Sequence, residues 1–332
     1  MMKHKIWIIL MMATGMLASC SEDSPTEQGD EQVTNAPLRM MRATRAVSGG
    51  YDQFGDIRVL LTNNGTTVSG LFKHEDNDDW TTQLKLKSGA RTYRLYGYMP
   101  DDATLTCSLN SVTADNAVLR LQGLQPLTTK DYCIVTGVRQ VANATDMTAA
   151  TRGTFSFDYD SKRENYINLL LDHMMSGIGF NMKIGTEYST VRTIKIKRMT
   201  LNVPGISSIS TDITLTNGVG ISNIAYSVTG TANTSSVIKD EEQTLTTMPV
   251  NVCSAYLIPL SSLITNLTLV TEYDVYDKKG NKIAERTATN QLKDALNELQ
   301  RGENRTLTIT VDPSYLYILS DADLDNPPFI IE

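Results

Sequence analysis

Histidine is scarce in this chain of 332 residues, which contains only three: His4, His74 and His173. A Ser–His–Asp or Cys–His catalytic group needs a histidine, and His4 lies in a segment that export removes, as argued below. His74 stands in a run of charged residues, which is typical of a solvated loop. His173 precedes two methionines, which is typical of a packed core. We therefore predict that neither histidine is catalytic.

Motifs of other enzyme classes are also missing: there is no phosphate-binding glycine loop, HExxH or CxxC. The spacing of Asp321, Asp323, Asp325 and Glu332 imitates a calcium loop, but Asn326 stands where such a loop needs glycine. The sequence thus predicts no catalytic residues, no cofactor and no metal. Only a carboxylate pair of the glycosidase type stays open, because a sequence does not show how far apart acidic groups lie in space.

Basic residues are fewer than acidic ones: the chain has 30 Lys and Arg against 37 Asp and Glu, which gives a net charge of −7. A chain without a basic stripe has no electrostatic footprint for nucleic acid. We therefore predict no nucleic-acid partner.

Cysteine is rare, with four residues: Cys20, Cys107, Cys133 and Cys253. A Cys107–Cys133 bridge would suit an oxidising compartment. Buried thiols are favoured instead, because the three cysteines after Cys20 make an odd number and each lies in a strand-like run.

The amino terminus has a short apolar stretch, residues 6–17, preceded by Lys3 and Lys5. A bilayer span needs roughly 20 apolar residues, so this stretch is typical of a secretory signal peptide. Residues 17–20 read Leu-Ala-Ser-Cys, which is the lipobox pattern of bacterial lipoproteins. We predict a signal peptide at 1–19 and a lipid on Cys20 that anchors the protein in the outer membrane. Residues 21–32 are polar and acidic, as expected of a tether.

The body alternates apolar and polar residues in short runs, which predicts an all-β fold. Such runs occur at 57–61, 82–86, 93–98, 117–121, 133–138, 193–199 and 268–275. Asn64-Gly65 and Lys279-Gly280-Asn281 predict hairpin turns. The apolar spacing in 292–299 predicts a helix capped by Asn290 and ended by Gly302. Residues 166–175 fit either a helix or a buried strand.

The length of the body favours two domains, because single cores stop growing near about 250–300 residues. The polar stretch 158–165 is the predicted boundary. After Pro313, the run Tyr315, Leu316, Tyr317, Ile318 and Leu319 is apolar on both faces. A strand of this kind needs cover on both sides, and at a terminus it invites pairing with another chain. The alternative is that it forms the last strand of its own domain.

The ending Val-Asp-Pro-Ser-Tyr-Leu-Tyr-Ile-Leu-Ser-Asp-Ala-Asp-Leu-Asp-Asn-Pro-Pro-Phe-Ile-Ile-Glu resembles the carboxy terminus of the fimbrillin family, the type V pilus subunits of Gram-negative anaerobes. Weaker resemblances occur at 93–100, 127–132, 172–184 and 191–197, together with the lipobox. The resemblance implies two tandem transthyretin-like β-sandwiches, at 46–160 and 161–311. It also implies a lipidated tether or propeptide at 20–45 and a donor-strand tail at 312–332.

The resemblance further implies a surface protease that cuts after arginine, and Arg45-Ala46 fits that bond best, although Arg39 and Arg42 lie near it. Trimming would remove a first strand and open a groove for the tail of a neighbour. Implied partners are copies of this chain or related pilins, that protease and the outer membrane, and the trimmed protein would reside in a cell-surface fimbrium and contribute to adhesion. The alternatives are a tip or anchor subunit, and a surface lipoprotein that binds glycans.

Overall fold

Strands make up most of the structure, a computed structural model that describes residues 35–45, 55–75, 80–87, 91–159, 164–297, 299–312 and 329–331. These strands form four sheets in the described ranges. The prediction of an all-β fold with a few short helices is therefore confirmed.

The first sheet has nine strands. In order across the sheet they are β4 (Trp80–Thr81), β3 (Thr66–His74), β2 (Ile57–Asn63), β6 (Thr92–Met99), β10 (Cys133–Val141), β12 (Asn165–His173), β1 (Asn35–Arg45) and β5 (Lys85–Lys87), while β11 (Ser156–Asp158) pairs with β6. All its pairings are antiparallel except that of β1 with β12, which is parallel.

The other three sheets contain the later strands and three strands of the earlier half. The second sheet has the order β23 (Phe329–Ile331), β22 (Asn304–Val311), β13 (Ser176–Ile184), β19 (Val250–Leu257) and β9 (Leu127–Thr128). The third has β17 (Thr234–Lys239), β14 (Thr193–Val203), β20 (Thr268–Tyr276) and β21 (Lys282–Gln291), with β18 (Gln243–Thr244) beside β14. The fourth has β16 (Gly220–Gly230), β15 (Ser208–Thr216), β8 (Asn116–Leu124) and β7 (Thr106–Val112).

The helices are short: α1 (Tyr188–Val191), α2 (Ser261–Asn266) and α3 (Lys293–Leu296). Within the described ranges, none of the helices combines the length and apolar character that crossing a bilayer requires.

Both predicted hairpin turns are confirmed. Asn64 and Gly65 connect β2 to β3 with φ of 45° and 79°, the left-handed region that such a two-residue turn requires. Gly280, with φ of 86°, lies in the turn between β20 and β21. A side chain at either glycine would be strained in this region of φ.

The first sheet is covered on both faces. One face contributes alternate residues of its strands to a buried cluster: Ile57, Val59, Leu61, Leu95, Met99, Cys133, Val135, Ile167, Leu169 and Leu171. The other face contributes Leu60, Tyr96 and Ile134 to a larger cluster that also contains residues of the other three sheets. Burial on both sides explains why runs such as 133–138 are almost continuously apolar.

Two local predictions need correction and one ambiguity is resolved. The helix predicted at 292–299 shortens to α3, and Asn290 lies in β21 instead of capping it. The apolar spacing there serves burial of Leu292, Leu296 and Leu299 rather than a long helix. The run 82–86 becomes a strand only from Lys85. Residues 166–173 form a largely buried strand, part of β12, rather than a helix, and Met174 and Met175 follow that strand.

The predicted domain boundary lies between residues 160 and 161, and strands from both sides of it pair in the same sheets. β12 lies beside β10 in the first sheet, and β15 lies beside β8 in the fourth. The bidentate ion pair between Arg120 and Asp212 joins that second pair of strands, with an Nε–Oδ1 distance of 2.6 Å. The division into two tandem sandwiches at this position stays a prediction.

Candidate functional site

Strand β1 is the first strand of the described residues, yet it lies inside the first sheet between β12 and β5. Its backbone runs parallel to β12 from Leu38, opposite Asn165, to Arg45, opposite Leu171. At its amino end, residues 35–37 pair with β5 in antiparallel fashion. The predicted tether or propeptide segment, 20–45, therefore contributes a strand to the folded body.

The side chains of Leu38 and Met40 explain why this segment forms a strand. They are two residues apart, so they point to the same face, and each is only 2% exposed. They belong to the cluster that contains Leu86, Ile167 and Leu169. Burying each of them is worth roughly 1.5–3 kcal/mol. Strand β1 thus completes the core of the first sheet.

The first sheet closes on itself through β1. The strands at its two ends, β4 and β5, are separated in the chain only by residues 82–84. The Leu38 N–H donates a hydrogen bond to the Leu84 carbonyl oxygen in this connection, at 3.4 Å. In the described part of the chain β5 pairs with β1 alone. Removing β1 would therefore open the sheet between β12 and β5.

The three arginines near the predicted cleavage bond occupy different positions in β1. Arg39 is exposed and forms an ion pair with Glu164 at 3.4 Å. Arg42 lies inside the ladder, opposite Asn168. Arg45 is the last residue of the strand. Ala46, Cys20 and the signal peptide lie outside the described residues.

The predicted donor strand, Tyr315, Leu316, Tyr317, Ile318 and Leu319, lies outside the described residues, as does the calcium-like spacing of aspartates at 321–325. The structure describes the end of the tail, β23, which pairs with β22 of the same chain. This pairing joins Ile309 to Ile331 and Val311 to Phe329. Strand β23 has only three residues.

Cys107, Cys133 and Cys253 are free cysteines, as predicted, but only Cys133 is fully buried, while Cys107 and Cys253 are half-buried. Burial raises the pKa of the Cys107 thiol to about 12 and that of the Cys253 thiol to about 12. Both thiols are therefore protonated at neutral pH, and neither has the thiolate character of a nucleophile.

The two remaining histidines, His74 and His173, have different surroundings. His74 ends β3, and its ring lies 4.6 Å from the ring of Trp80, so it is half-buried rather than fully solvated. His173 ends β12 and is 3% exposed, as predicted for a packed histidine.

His173 belongs to a group that the sequence did not reveal. Its Nδ1 lies 2.6 Å from Oδ2 of Asp131 and 3.6 Å from Sγ of Cys133. The Cys133 Sγ lies 3.7 Å from the same Asp131 oxygen. All three residues are buried. The only sequence signal was the Asp131-Tyr-Cys133 spacing, and nothing in it indicated that His173 lies across the ladder.

The chain was compared with known protein families and solved structures. A family model described as fimbrillin-like matches residues 44–323. A solved fimbrial protein of Bacteroides vulgatus is similar over 90% of this chain and 98% of its own, with 10% identity and a TM-score of 0.48. The fimbrial anchor protein Mfa2 of Porphyromonas gingivalis is similar over 89% of this chain and 95% of its own, with 9% identity and a TM-score of 0.32. No curated protein matches the chain significantly.

Proposed function

Because the chain belongs to the fimbrillin-like family, we propose that it is a structural subunit of a cell-surface pilus that contributes to adhesion, and not an enzyme. In this proposal it is exported as a lipoprotein through Cys20, trimmed after Arg45 and joined to the next subunit by strand exchange. The observation that carries the proposal is the position of β1, which completes the core of the body and ends at Arg45.

Trimming after Arg45 is favoured over the neighbouring arginines. A protease binds its substrate as an extended segment, so it needs backbone that is not held in a ladder. Arg39 lies opposite Tyr166 between two paired residues, whereas Arg42 follows an irregularity in the register but is itself paired with Asn168 and is followed by paired residues. Arg45 is the last paired residue of the strand. The family match begins at residue 44, next to this bond.

Trimming alone would leave β1 in place, held by its ladder and its two buried side chains. Its departure would uncover Ile167 and Leu169, which are now fully buried, and leave β12 and β5 with unpaired edges. An exposed edge beside an apolar face is the usual acceptor for a strand from another chain. The groove would therefore bind an incoming strand with alternating apolar residues.

The predicted donor strand meets that requirement. Leu316 and Ile318 have the same two-residue spacing as Leu38 and Met40, and their side chains are of similar size. They would occupy the positions that β1 vacates, and the alternate donor residues would cover the outer face. Each buried apolar side chain would again contribute roughly 1.5–3 kcal/mol.

A tip or anchor subunit is the second candidate, and the pairing of β23 with β22 favours it. In such a subunit the tail would stay in its own sheet instead of entering a neighbour. The pairing has only three residues, however, which is a short ladder. A stalk subunit could give it up at small cost.

Deleting residues 312–332 from the full-length chain tests the proposal. A donor strand contributes to a neighbour's core, so the truncated protein should stay folded, change little in melting temperature and fail to form filaments. Tyr317→Asp and Ile318→Asp should have the same effect, because each would bring a carboxylate into an apolar groove. Ser320→Asp, which adds the same charge just beyond the donor strand, should still assemble.

Two results would count against this function. A truncated protein that unfolds would assign the tail to its own domain and favour the tip or anchor subunit. A truncated protein that still forms filaments would exclude exchange of this tail. Filament formation and thermal melting are therefore scored on the same samples.

A further inference from the structure

Asp131, Cys133 and His173 meet because of the register between β10 and β12. Cys133 begins β10 and His173 ends β12, and the two residues are direct partners across the ladder. Asp131 is two residues before Cys133, which is the spacing that brings two side chains to the same side of an extended backbone. Three groups that bind metals are thus held together by strand pairing.

The distances within this group approach those of a tetrahedral zinc site. Zinc binds sulfur at about 2.3 Å and nitrogen or carboxylate oxygen at about 2.0–2.2 Å, so its sulfur–nitrogen and sulfur–oxygen ligand pairs are about 3.5–3.6 Å apart. The Cys133 Sγ lies 3.6 Å from His173 Nδ1 and 3.7 Å from Asp131 Oδ2. Only the nitrogen–oxygen distance, 2.6 Å, is shorter than the roughly 3.3 Å of a zinc site. It is a hydrogen bond, which the metal would replace. On zinc binding the Cys133 thiol would release its proton to solvent, and the His173 imidazole would bind through an unprotonated Nδ1.

Burial and charge also favour a metal. Asp131 is 9% exposed, His173 is 3% exposed and Cys133 is fully buried. A buried charge is costly unless an opposite charge compensates it. One carboxylate, one thiolate and a neutral imidazole balance the two positive charges of Zn²⁺. A set of sulfur, nitrogen and oxygen ligands suits zinc rather than Ca²⁺ or Mg²⁺, which prefer oxygen alone.

The same geometry does not fit a catalytic triad. In a triad the histidine uses one ring nitrogen for the carboxylate and the other for the nucleophile. Here a single nitrogen, Nδ1 of His173, faces both Asp131 and Cys133. We propose that Asp131, Cys133 and His173 together bind one Zn²⁺ ion as a structural site. The backbone carbonyl oxygen of Asp131 also lies near the group, 3.9 Å from Sγ of Cys133.

The ion would reinforce a junction that is already bound by hydrogen bonds. The Met174 N–H donates to the Tyr132 carbonyl at 2.8 Å, and Nη1 of Arg301 donates to the His173 carbonyl at 2.7 Å. Here the chain leaves β12 for β13 of the second sheet. Zinc binding does not depend on the proposed pilus function. If that function holds, the ion would also fasten one end of β12, the strand that borders the groove.

Metal content of the full-length protein is the first measurement. Since the site is buried, the protein is unfolded in denaturant that contains a chelator. It is then refolded with or without Zn²⁺ and dialysed. We expect about one zinc per chain by mass spectrometry and a higher melting temperature than for the metal-free protein. Refolding with Co²⁺ should give a thiolate-to-cobalt absorption band. A wild-type protein that retains no zinc and shows no such band overturns the proposal.

Variants then locate the ion. Asp131→Asn, Cys133→Ser and His173→Gln should each weaken zinc binding by more than the roughly 10–100-fold that is typical when a hydrogen-bond partner of a metal ligand is removed. The matched controls Cys20→Ser, Cys107→Ser and Cys253→Ser should bind zinc as the wild type does. If Cys133→Ser does not fold, the nearly isosteric Asp131→Asn takes its place. Equal binding by all folded variants would put the ion elsewhere and overturn the proposal.

Discussion

Leu38 donates its backbone N–H to the carbonyl oxygen of Leu84 at 3.4 Å, and this bond links β1 to the segment between the two ends of the first sheet. Leu84 is itself 7% exposed and belongs to the same cluster as Leu38. Strand β1, the first that the structure describes, therefore closes the sheet that later strands build. Its contribution to stability can be measured separately from its role in assembly.

We expect Leu38→Ala to lower the free energy of unfolding by about 2–5 kcal/mol, the usual cost of truncating a buried leucine. Arg39→Ala is the matched control on the next residue. Its side chain is exposed and its ion pair with Glu164 is 54% and 45% exposed, so the change should stay within about 0.5 kcal/mol. The shift in the urea midpoint measures both. Equal small effects would mean that β1 unfolds separately from the body.

Limited digestion with trypsin should cut the folded precursor after Arg45 and give a stable core that begins at Ala46. Arg94 and Arg120 should resist, because both lie in paired strands. Amino-terminal sequencing of the core checks the bond, and Arg45→Gln should abolish that product. Cleavage within the body while 39–45 stays intact would contradict the assignment.

Cys20→Ala should leave an unlipidated precursor and stop its delivery to the cell surface. Fractionation of membranes, with surface labelling of the same cells, measures this. Ser19→Ala, which keeps the small residue of the lipobox, is the control and should be lipidated normally. A Cys20→Ala protein that still partitions with the membrane and assembles would refute the lipoprotein assignment.

Stability in acid should depend on Asp102. Burial would raise the pKa of this carboxyl, but hydrogen bonds from Lys130, Thr104 and Tyr132 outweigh burial and hold the pKa well below its ordinary value. The Lys130 Nζ and the Tyr132 Oη lie 2.6 and 2.7 Å from Oδ2. A lowered pKa in the folded state contributes stability that is complete above about pH 4, the unfolded value, and is lost as pH falls.

Asp102→Asn removes that dependence. At pH 7 we expect it to cost up to about 1.5–3 kcal/mol, the range for hydrogen bonds to a charged group. In acid, the difference between variant and wild type should shrink as the wild-type carboxyl becomes protonated. Urea unfolding at a series of pH values from about 7 down to about 2 measures both effects. A difference that stays constant over this range would show that the carboxylate charge is not responsible.

Several strands of the body were predictable because their own residues carry an alternating pattern. Residues 57–61 alternate and then meet the Asn64-Gly65 turn, so both the strand and its hairpin partner follow from neighbouring residues. The short helix α3 was overpredicted, because the spacing of Leu292, Leu296 and Leu299 also suits burial of an irregular segment. A local sequence pattern does not distinguish a helix from an irregular segment with the same buried residues.

Long-range pairing was the part that the sequence concealed. Strand β1 has only Leu38 and Met40 as buried apolar markers, and Pro37 and several arginines make it look like part of the tether. It becomes a strand because β12, far along the chain, offers a parallel edge. The meeting of Cys133 with His173 has the same origin. The register between strands that are distant in the chain produces no periodic pattern in the sequence.

The position of β1 between the predicted lipid and the predicted cleavage bond affects when the body can leave the membrane. The predicted lipid at Cys20 precedes β1, and the predicted cleavage bond follows it, so after trimming the membrane anchor and the closing strand would be one and the same peptide. The body would leave the membrane only by losing that peptide, and would keep its core closed only if another strand came in. Release of the β1 peptide and entry of the donor strand from the next subunit would then be a single event. A released body with an open core would not need to accumulate.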